Sequence, residues 1–422
     1  MKLFLQIACL LSLTALGFAK DDEPTSAPSA DPIQCRVIWT GDPAHAVTIS
    51  WSTDVKTASN EVLFSDRSHA GALDDFEGKA LSHRDGKYTR SSWDSEETPD
   101  GFYHHARLTG LKAGSTVWFV LRSDDAVSRE FHFRLATEGD EPYAWLAGGD
   151  SRTGYEDRHR MNRLMAQLVR EDPRILALDH GGDYVFYGQR WDQWWGWLDD
   201  LAEMCGEDGR LLPIIPTRGN HDSGALFDEV FDTPGGPGNW YETKMGLGLT
   251  LLTLNTNVSL AGDQLTWLRQ HLAEGRASSR WLMASYHQPA FPAVKTAGLA
   301  RITWVPLFEA YNMDLVLESD GHVIKRTAPI RDESIDPTGV VYIGEGGLGA
   351  PQRVPRSRRW YLESPGIVAR GAHVNVIHVQ KDVLRVECVG YPVDDLTGRA
   401  AADATLQTFD SFELKRREPA PK

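Results

Sequence analysis

Apolar and polar positions alternate with a period of two through the first third of the chain. Val47, Ile49 and Trp51 interleave with Thr48, Ser50 and Ser52, and Phe131, Phe133 and Leu135 with His132 and Arg134. Side chains of a strand point alternately to its two faces, so this pattern predicts half-buried antiparallel strands with turn residues between them. Residues 32–138 are expected to form an all-β sandwich. From Tyr143 onward short apolar runs alternate instead with helical periods, which predicts an α/β domain over residues 142–416. Met161, Leu164 and Leu168 share one helical face, as do Leu265, Leu268 and Leu272. Trp191, Trp194, Trp195, Leu198 and Ala202 follow one helical stripe and predict a helix packed on a sheet, with Trp197 off the stripe and exposed. Ser411, Phe412, Glu413 and Leu414 alternate as a last strand.

Composition changes the picture at the ends of the chain. Met1, Lys2 and a short apolar run closing on Gly17 and Ala19 read as a secretory signal over residues 1–19. That run is too short to anchor the chain across a bilayer, and no other stretch is apolar enough to span one. Export follows, to the periplasm or the medium. The acidic, proline- and serine-bearing residues 20–31 predict a disordered linker. Without Cys9, three cysteines remain, Cys35, Cys205 and Cys388. Two arrangements stay open: one long-range disulfide with a free thiol, or three free thiols. A formal charge of −15 on 422 residues excludes nucleic-acid binding through a basic face. Phosphate chemistry is not excluded, because bound metal ions supply local positive charge.

The candidate chemistry lies where apolar runs end. Leu146 leads to Asp150, Leu178 to Asp183, Pro216 to Asn220, His221 and Asp222, Met283 to His287, and Leu315 to Asp320 and His322. Carboxylates, amides and imidazoles suit zinc, iron and manganese, and open α/β sheets place their sites at the carboxyl ends of strands. The order of these motifs resembles the calcineurin-like metallophosphoesterases. The whole chain looks like their purple acid phosphatase branch, with a fibronectin type III-like domain before the core. His104 and His105 fall in a stretch resembling that first domain, and no carboxylate is spaced to join them in a metal site.

The resemblance implies a mixed α/β metallophosphoesterase fold, a layered β-sandwich core flanked by helices, with two metal ions. It assigns Asp183, Asn220, His287 and Asp320 to one metal, and Asp150, Asp183 and His322 to the other. Asp183 would bridge, since one carboxylate can serve two cations. His221, steadied by Asp222, would protonate the leaving group. His180 would support the ligands from behind, and the glycine-rich residues 344–351 would lie beside the metals.

Three positions depart from the family pattern. Phe186 replaces a tyrosine ligand, so the protein should lack the purple colour, and Tyr184 and Tyr187 are at offsets that should turn them elsewhere. Arg152 stands where relatives carry His or Gly; it cannot ligate, but it can clamp phosphate. Asp320 stands in place of a histidine. The expected activity is metal-assisted hydrolysis of a small phosphate ester, a phosphomonoester first. A phosphodiesterase or nucleotidase is the enzymatic rival, and an exported metal-binding adhesion protein the non-catalytic one.

Overall fold

The computed structural model describes residues 27–416, except 71, 235–237 and 357. The expected signal segment, and the linker up to residue 26, lie outside the described residues.

Two sheets face each other across the main core. The larger runs Gln407–Lys415, Val383–Pro392, Gly371–Val379, Tyr143–Gly148, Ile175–His180, Ile214–Pro216, and then, with no break, into the strands of the first domain from Ile33–Ile38 to Thr116–Ser123. The join is a parallel pairing of Ile38 with Ile214, and Trp39 N–H donates to Ile214 O at 2.8 Å. The smaller sheet runs Tyr241–Met245, Leu249–Thr253, Trp281–Tyr286, Leu315–Glu318, Val341–Gly344, Ile324–Arg326 and Ile367–Ala369. Alternate residues of both sheets, among them Trp145, Ala147, Ala177, Ile215, Leu251, Met283, Leu317 and Ile343, form one buried apolar layer between them. That alternation is the period-two rule acting on both sheets at once.

Helices cover the outer faces. Tyr155–Glu171 buries Met161 and Leu164, with Leu168 partly covered, against Leu146, Ile175 and Leu178. Asp263–Ser278 lays Leu268 and Leu272 on Leu252 and Leu282. The result is a mixed α/β core of two sheets flanked by helices, fused to an all-β domain through a shared sheet. The antiparallel last strand, Gln407–Lys415, closes one edge.

Two expectations fail here. Val47–Thr53 is buried on both faces rather than one. Its polar face is covered, and three of its hydroxyls are bonded: Ser50 Oγ to His105 Nδ1 at 2.7 Å, Ser52 Oγ to Tyr88 Oη at 3.0 Å, and Thr53 Oγ1 to His104 Nε2 at 3.0 Å. His104 and His105 are thus spent on holding this sheet together. The tryptophan helix ends at Asp200, so Ala202 lies beyond it and is exposed. Trp197 is buried, 4 % exposed, and donates to Ser151 Oγ at 3.0 Å. The helix is embedded between two neighbours, so a second face is also covered. Among the described residues, Cys35, Cys205 and Cys388 are free thiols.

Candidate metal centre

Four strands deliver the candidate ligands to one place. Tyr143–Gly148 ends just before Asp150, Ile175–His180 before Asp183, Trp281–Tyr286 before His287, and Leu315–Glu318 before Asp320. The backbone turns left-handed at Asp150 (φ 58°), Asp183 (φ 59°), Asp320 (φ 69°) and His322 (φ 55°). Asp and His enter this region more readily than other non-glycine residues, yet at a cost, and such residues gather at functional sites. Behind Asp150 the glycine-rich segment leaves no room for a side chain. A Cβ on Gly346 would stand 1.8 Å from Asp150 Oδ2. Ala350 N–H donates to Asp150 O at 2.7 Å, tying the segment to the ligand turn.

Asp150, Asp183 and His287 are buried and offer donor atoms that all lie within 4.8 Å of one another. His287 Nε2 is 3.2 Å from Asp183 Oδ1, 3.1 Å from Asn220 Oδ1 and 3.6 Å from Asp320 Oδ1. Its Nδ1 faces Gly181 O at 2.7 Å; a carbonyl only accepts, so Nδ1 carries the proton and Nε2 looks into the oxygens. Burial alone would depress the His287 pKa, but the carboxylates of Asp183, Asp320 and Asp150 raise it well above its usual range. Asp320 is held low in turn: burial pushes it up, but His287 and Lys295 outweigh that.

Asp150 Oδ1 is buried and takes no hydrogen bond, although His322 Nε2 is 3.0 Å away. An orphaned buried oxygen beside convergent oxygen and nitrogen donors is what a cation would satisfy. The donor set of carboxylates, one amide and one imidazole therefore fits a borderline transition metal.

The remaining candidates take different places. Arg152 is buried, and Nε donates to Asp183 Oδ2 at 3.0 Å while Nη2 lies 3.4 Å from His322 Nε2. It is buried and is not a surface ion pair. Asp222 does not steady His221, contrary to expectation. Its Oδ2 accepts Asp183 N–H and Gly219 N–H, each at 2.8 Å, and its Oδ1 accepts Tyr184 N–H at 3.0 Å. Burial, and then the Asp183 charge, push its pKa up to about 7. His221 Nδ1 is held instead by Phe186 O at 2.6 Å, leaving Nε2 3.9 Å from Asp183 Oδ2. His180 stacks on Tyr184 at 3.9 Å and bonds Ser151 Oγ at 2.9 Å, so it buttresses the turn without touching Asp183. The Tyr184 hydroxyl donates to His180 O at 3.2 Å, and Tyr187 is half-exposed. Phe186 packs on the Arg152 guanidinium, 5.2 Å from ring centre to carbon.

Sequence reasoning missed the cations around Asp320. Lys295 pairs with Asp320 Oδ1, and Arg353 Nη1 donates to Asp320 O at 3.1 Å. Beneath them Lys325 is fully buried between Glu318 and Glu345, and Glu345 O accepts His322 N–H at 2.6 Å. No local pattern announces such a triad. The centre opens on a cleft of about 470 Å³ lined by Asn220, His221, Phe186 and Tyr187 on one side and Ser91, Ser92 and Trp93 of the first domain on the other.

Comparison with known proteins agrees with this layout. The family described as purple acid phosphatase, N-terminal domain, matches residues 32–135, and the calcineurin-like phosphoesterase family matches residues 131–324, a span that holds every candidate ligand. Purple acid phosphatase 15 of Arabidopsis thaliana is 23 % identical over 298 residues, covering 58 % of this chain and 54 % of the relative. Purple acid phosphatase 13 of the same plant is 23 % identical over 307 residues, covering 59 % and 55 %. The chain thus spans about half the length of these curated relatives. Among solved structures, the purple acid phosphatase PPD1 of yellow lupin (Lupinus luteus) superposes with a TM-score of 0.73 at 16 % identity, over 92 % of this chain and 74 % of the other. PhoD does so with a TM-score of 0.64 at 11 % identity, over 92 % of both. At these identities the superpositions speak for the fold, while the two family matches carry the assignment. By these two matches the chain belongs to the calcineurin-like phosphoesterase family and carries a purple acid phosphatase N-terminal domain.

Proposed function

We propose that the chain hydrolyses small phosphate esters, phosphomonoesters first, at a metal centre built on Asp150, Asp183 and His287. The observation that carries this reading is the buried, unbonded Asp150 Oδ1 among donors that converge within 4.8 Å, beside a cleft lined by Asn220 and His221. Metal ions of the iron, zinc or manganese kind, when bound, supply Lewis acidity to the phosphoryl group and to the attacking water. Asn220 and Asp320 stand beside His287 as further donors.

The chain's own residues do the rest. Arg152, paired with Asp183, and Lys295, paired with Asp320, bring positive charge to the donors of the site, which suits a dianionic phosphate. His221 lines the cleft with Nδ1–H committed to Phe186 O, so its Nε2 is free to hold the proton that the leaving oxygen takes as the phosphorus–oxygen bond breaks. The leaving group would lie in the cleft between Tyr187 and Trp93, so its fit depends on both domains.

We further infer export, on the pattern of residues 1–19, and a fibronectin type III-like topology for the first domain. No described helix is long and apolar enough to cross a membrane. The test is hydrolysis of a panel of mono- and diesters by protein stripped with chelator and then reloaded with single metals. Turnover that vanishes on stripping, returns on loading and favours monoesters is the expected result. Metal-loaded protein inert toward every ester would overturn the reading and favour the non-catalytic rival.

A further inference from the structure

The side-chain geometry at Asp183 departs from a centre that holds two metals. Its two carboxylate oxygens face different partners. Oδ1 looks toward His287 Nε2 at 3.2 Å and accepts His221 N–H at 2.9 Å. Oδ2 accepts Arg152 Nε at 3.0 Å. The same guanidinium reaches His322 with Nη2, 3.4 Å from Nε2. His322 Nδ1 in turn lies 3.2 Å from Pro351 O, which can only accept, so a proton belongs on Nδ1, while Nε2 sits between Arg152 Nη2 and Asp150 Oδ1, the latter 3.0 Å away.

The expected ligand sets therefore separate. The donors around His287, from Asp183, Asn220 and Asp320, remain open to a cation, and Asp150 joins them within 4.8 Å. In the set that would hold a second metal, Asp150, Asp183 and His322, two of the three members are already met by the permanent cation of Arg152. We propose that the Arg152 guanidinium takes the place of the second metal ion, so that Asp183 bridges one metal and one arginine. This rests on the metal-centre reading above and narrows it to a mononuclear site.

Three features make the substitution self-consistent. A guanidinium stays protonated at any pH the fold tolerates, so it cannot vacate the place by losing charge. It is planar and forked, and here two of its nitrogens reach a carboxylate and an imidazole at once. It is also fixed. Arg152 is buried, its backbone N–H donates to Asp183 O at 3.2 Å, and the Phe186 ring covers its face. Phe186 thus has a use of its own, since an apolar ring packs on the guanidinium where a phenolate would compete for it. A divalent ion placed among Asp150, Asp183 and His322 would have to displace this charge or sit against it. Arg152 Nη1 donates no hydrogen bond to the described residues and is the atom left to meet a phosphoryl oxygen.

Metal stoichiometry decides the matter without recourse to activity. The full chain is saturated with manganese, passed free of excess, and assayed for metal per chain and for exchange coupling by electron paramagnetic resonance. Wild type should hold one equivalent with an uncoupled signal. Arg152→His, which removes the fixed charge and adds a donor, should hold two equivalents and show a coupled pair. Circular dichroism melting checks that the variant is folded. Two equivalents in wild type overturn this inference alone. None overturns the metal-centre reading and this inference with it. One equivalent in a folded Arg152→His protein shows that Arg152 is not what excludes the second ion. Arg152→Gln, neutral and nearly isosteric, covers the case where histidine misfolds, and it too should bind more than one.

Discussion

Asp222 accepts the backbone N–H of Asp183 at 2.8 Å, while the imidazole of its own neighbour His221 is held elsewhere, by Phe186 O. The acidic residue of the motif therefore shapes the turn that presents Asp183. Three N–H groups, of Asp183, Gly219 and Tyr184, converge on its two oxygens. Asp222→Asn offers one carbonyl oxygen to three donors and turns an amide toward the rest. Groups that orient ligands in this way typically cost about 10–100-fold in metal affinity when changed. Competition with a coloured chelator should show a loss of that size in a folded variant, alongside lost turnover. Unchanged affinity with lost turnover would return Asp222 to the role of a partner for His221.

How much of this was written in the sequence depends on distance along the chain. The candidate ligands were legible because metal ligation restricts residue type and strand ends restrict position, so Asp150, Asp183, Asn220, His287, Asp320 and His322 stand out by kind and by place. The role of Asp222 was not, since adjacency to His221 says nothing about which way two turn residues point. The helical stripe from Trp191 to Leu198 located the helix correctly. It misjudged Trp197, because a helix wedged against Ser151, His180 and Tyr184 has no solvent face at that position. The same holds for Val47–Thr53: its polar face is covered in part by the segment whose Glu229 carbonyl meets His105 Nε2 at 3.1 Å, a contact between residues far apart in sequence. Pairing of Ile38 with Ile214 is of that kind too.

Asp179 predicts a pH dependence of stability. It is buried between the two sheets, with Oδ2 accepting Ser285 Oγ–H at 2.7 Å and Oδ1 unbonded. Burial pushes its pKa up to about 7, against an ordinary value near 3.8. The folded state therefore holds a proton that the unfolded chain releases between those values. Its contribution is full below about pH 4 and is lost progressively as pH rises through about 7, a change on the order of 4 kcal/mol. Asp179→Asn cannot ionise, so it should gain on wild type steadily from pH 4.5 to pH 7.5. Thermal melts across that range measure the difference. A gap between the two proteins that is the same at every pH would show that Asp179 does not titrate in this window.

Colour follows from Phe186. Tyr184 is committed, its hydroxyl donating to His180 O and its ring stacked on His180, and Tyr187 is turned half to solvent. Among the described residues no phenolate is placed to bind a ferric ion beside Asp183. Protein loaded with iron(III) should be colourless to faintly yellow, without a strong band across the middle of the visible spectrum. If such a band appears, replacing Tyr184 and then Tyr187 with Phe identifies its source.

Asp320 carries the last prediction. Its Oδ1 is shared between the Lys295 ammonium and the approach to His287, so Lys295 and an incoming metal compete for one oxygen. The pairing does not argue against ligation, because Lys295 is partly exposed and its flexible stem can swing out once a doubly charged ion offers the carboxylate a stronger partner. Three variants separate the possibilities. Asp320→Ala should weaken metal binding by about 10-fold or more, since a charged donor is lost and Lys295 is left facing His287. Asp320→His should restore much of it, because imidazole binds the same metals and no longer draws Lys295 in. Lys295→Gln should tighten binding, since the competitor is gone and Asp320 keeps its charge. Isothermal titration of all four proteins with the same metal orders them as Lys295→Gln, wild type, Asp320→His, Asp320→Ala. Should Lys295→Gln instead bind more weakly than wild type, Lys295 would be holding Asp320 in a ligating position rather than competing for it, and the paired geometry would itself be the metal-ready state.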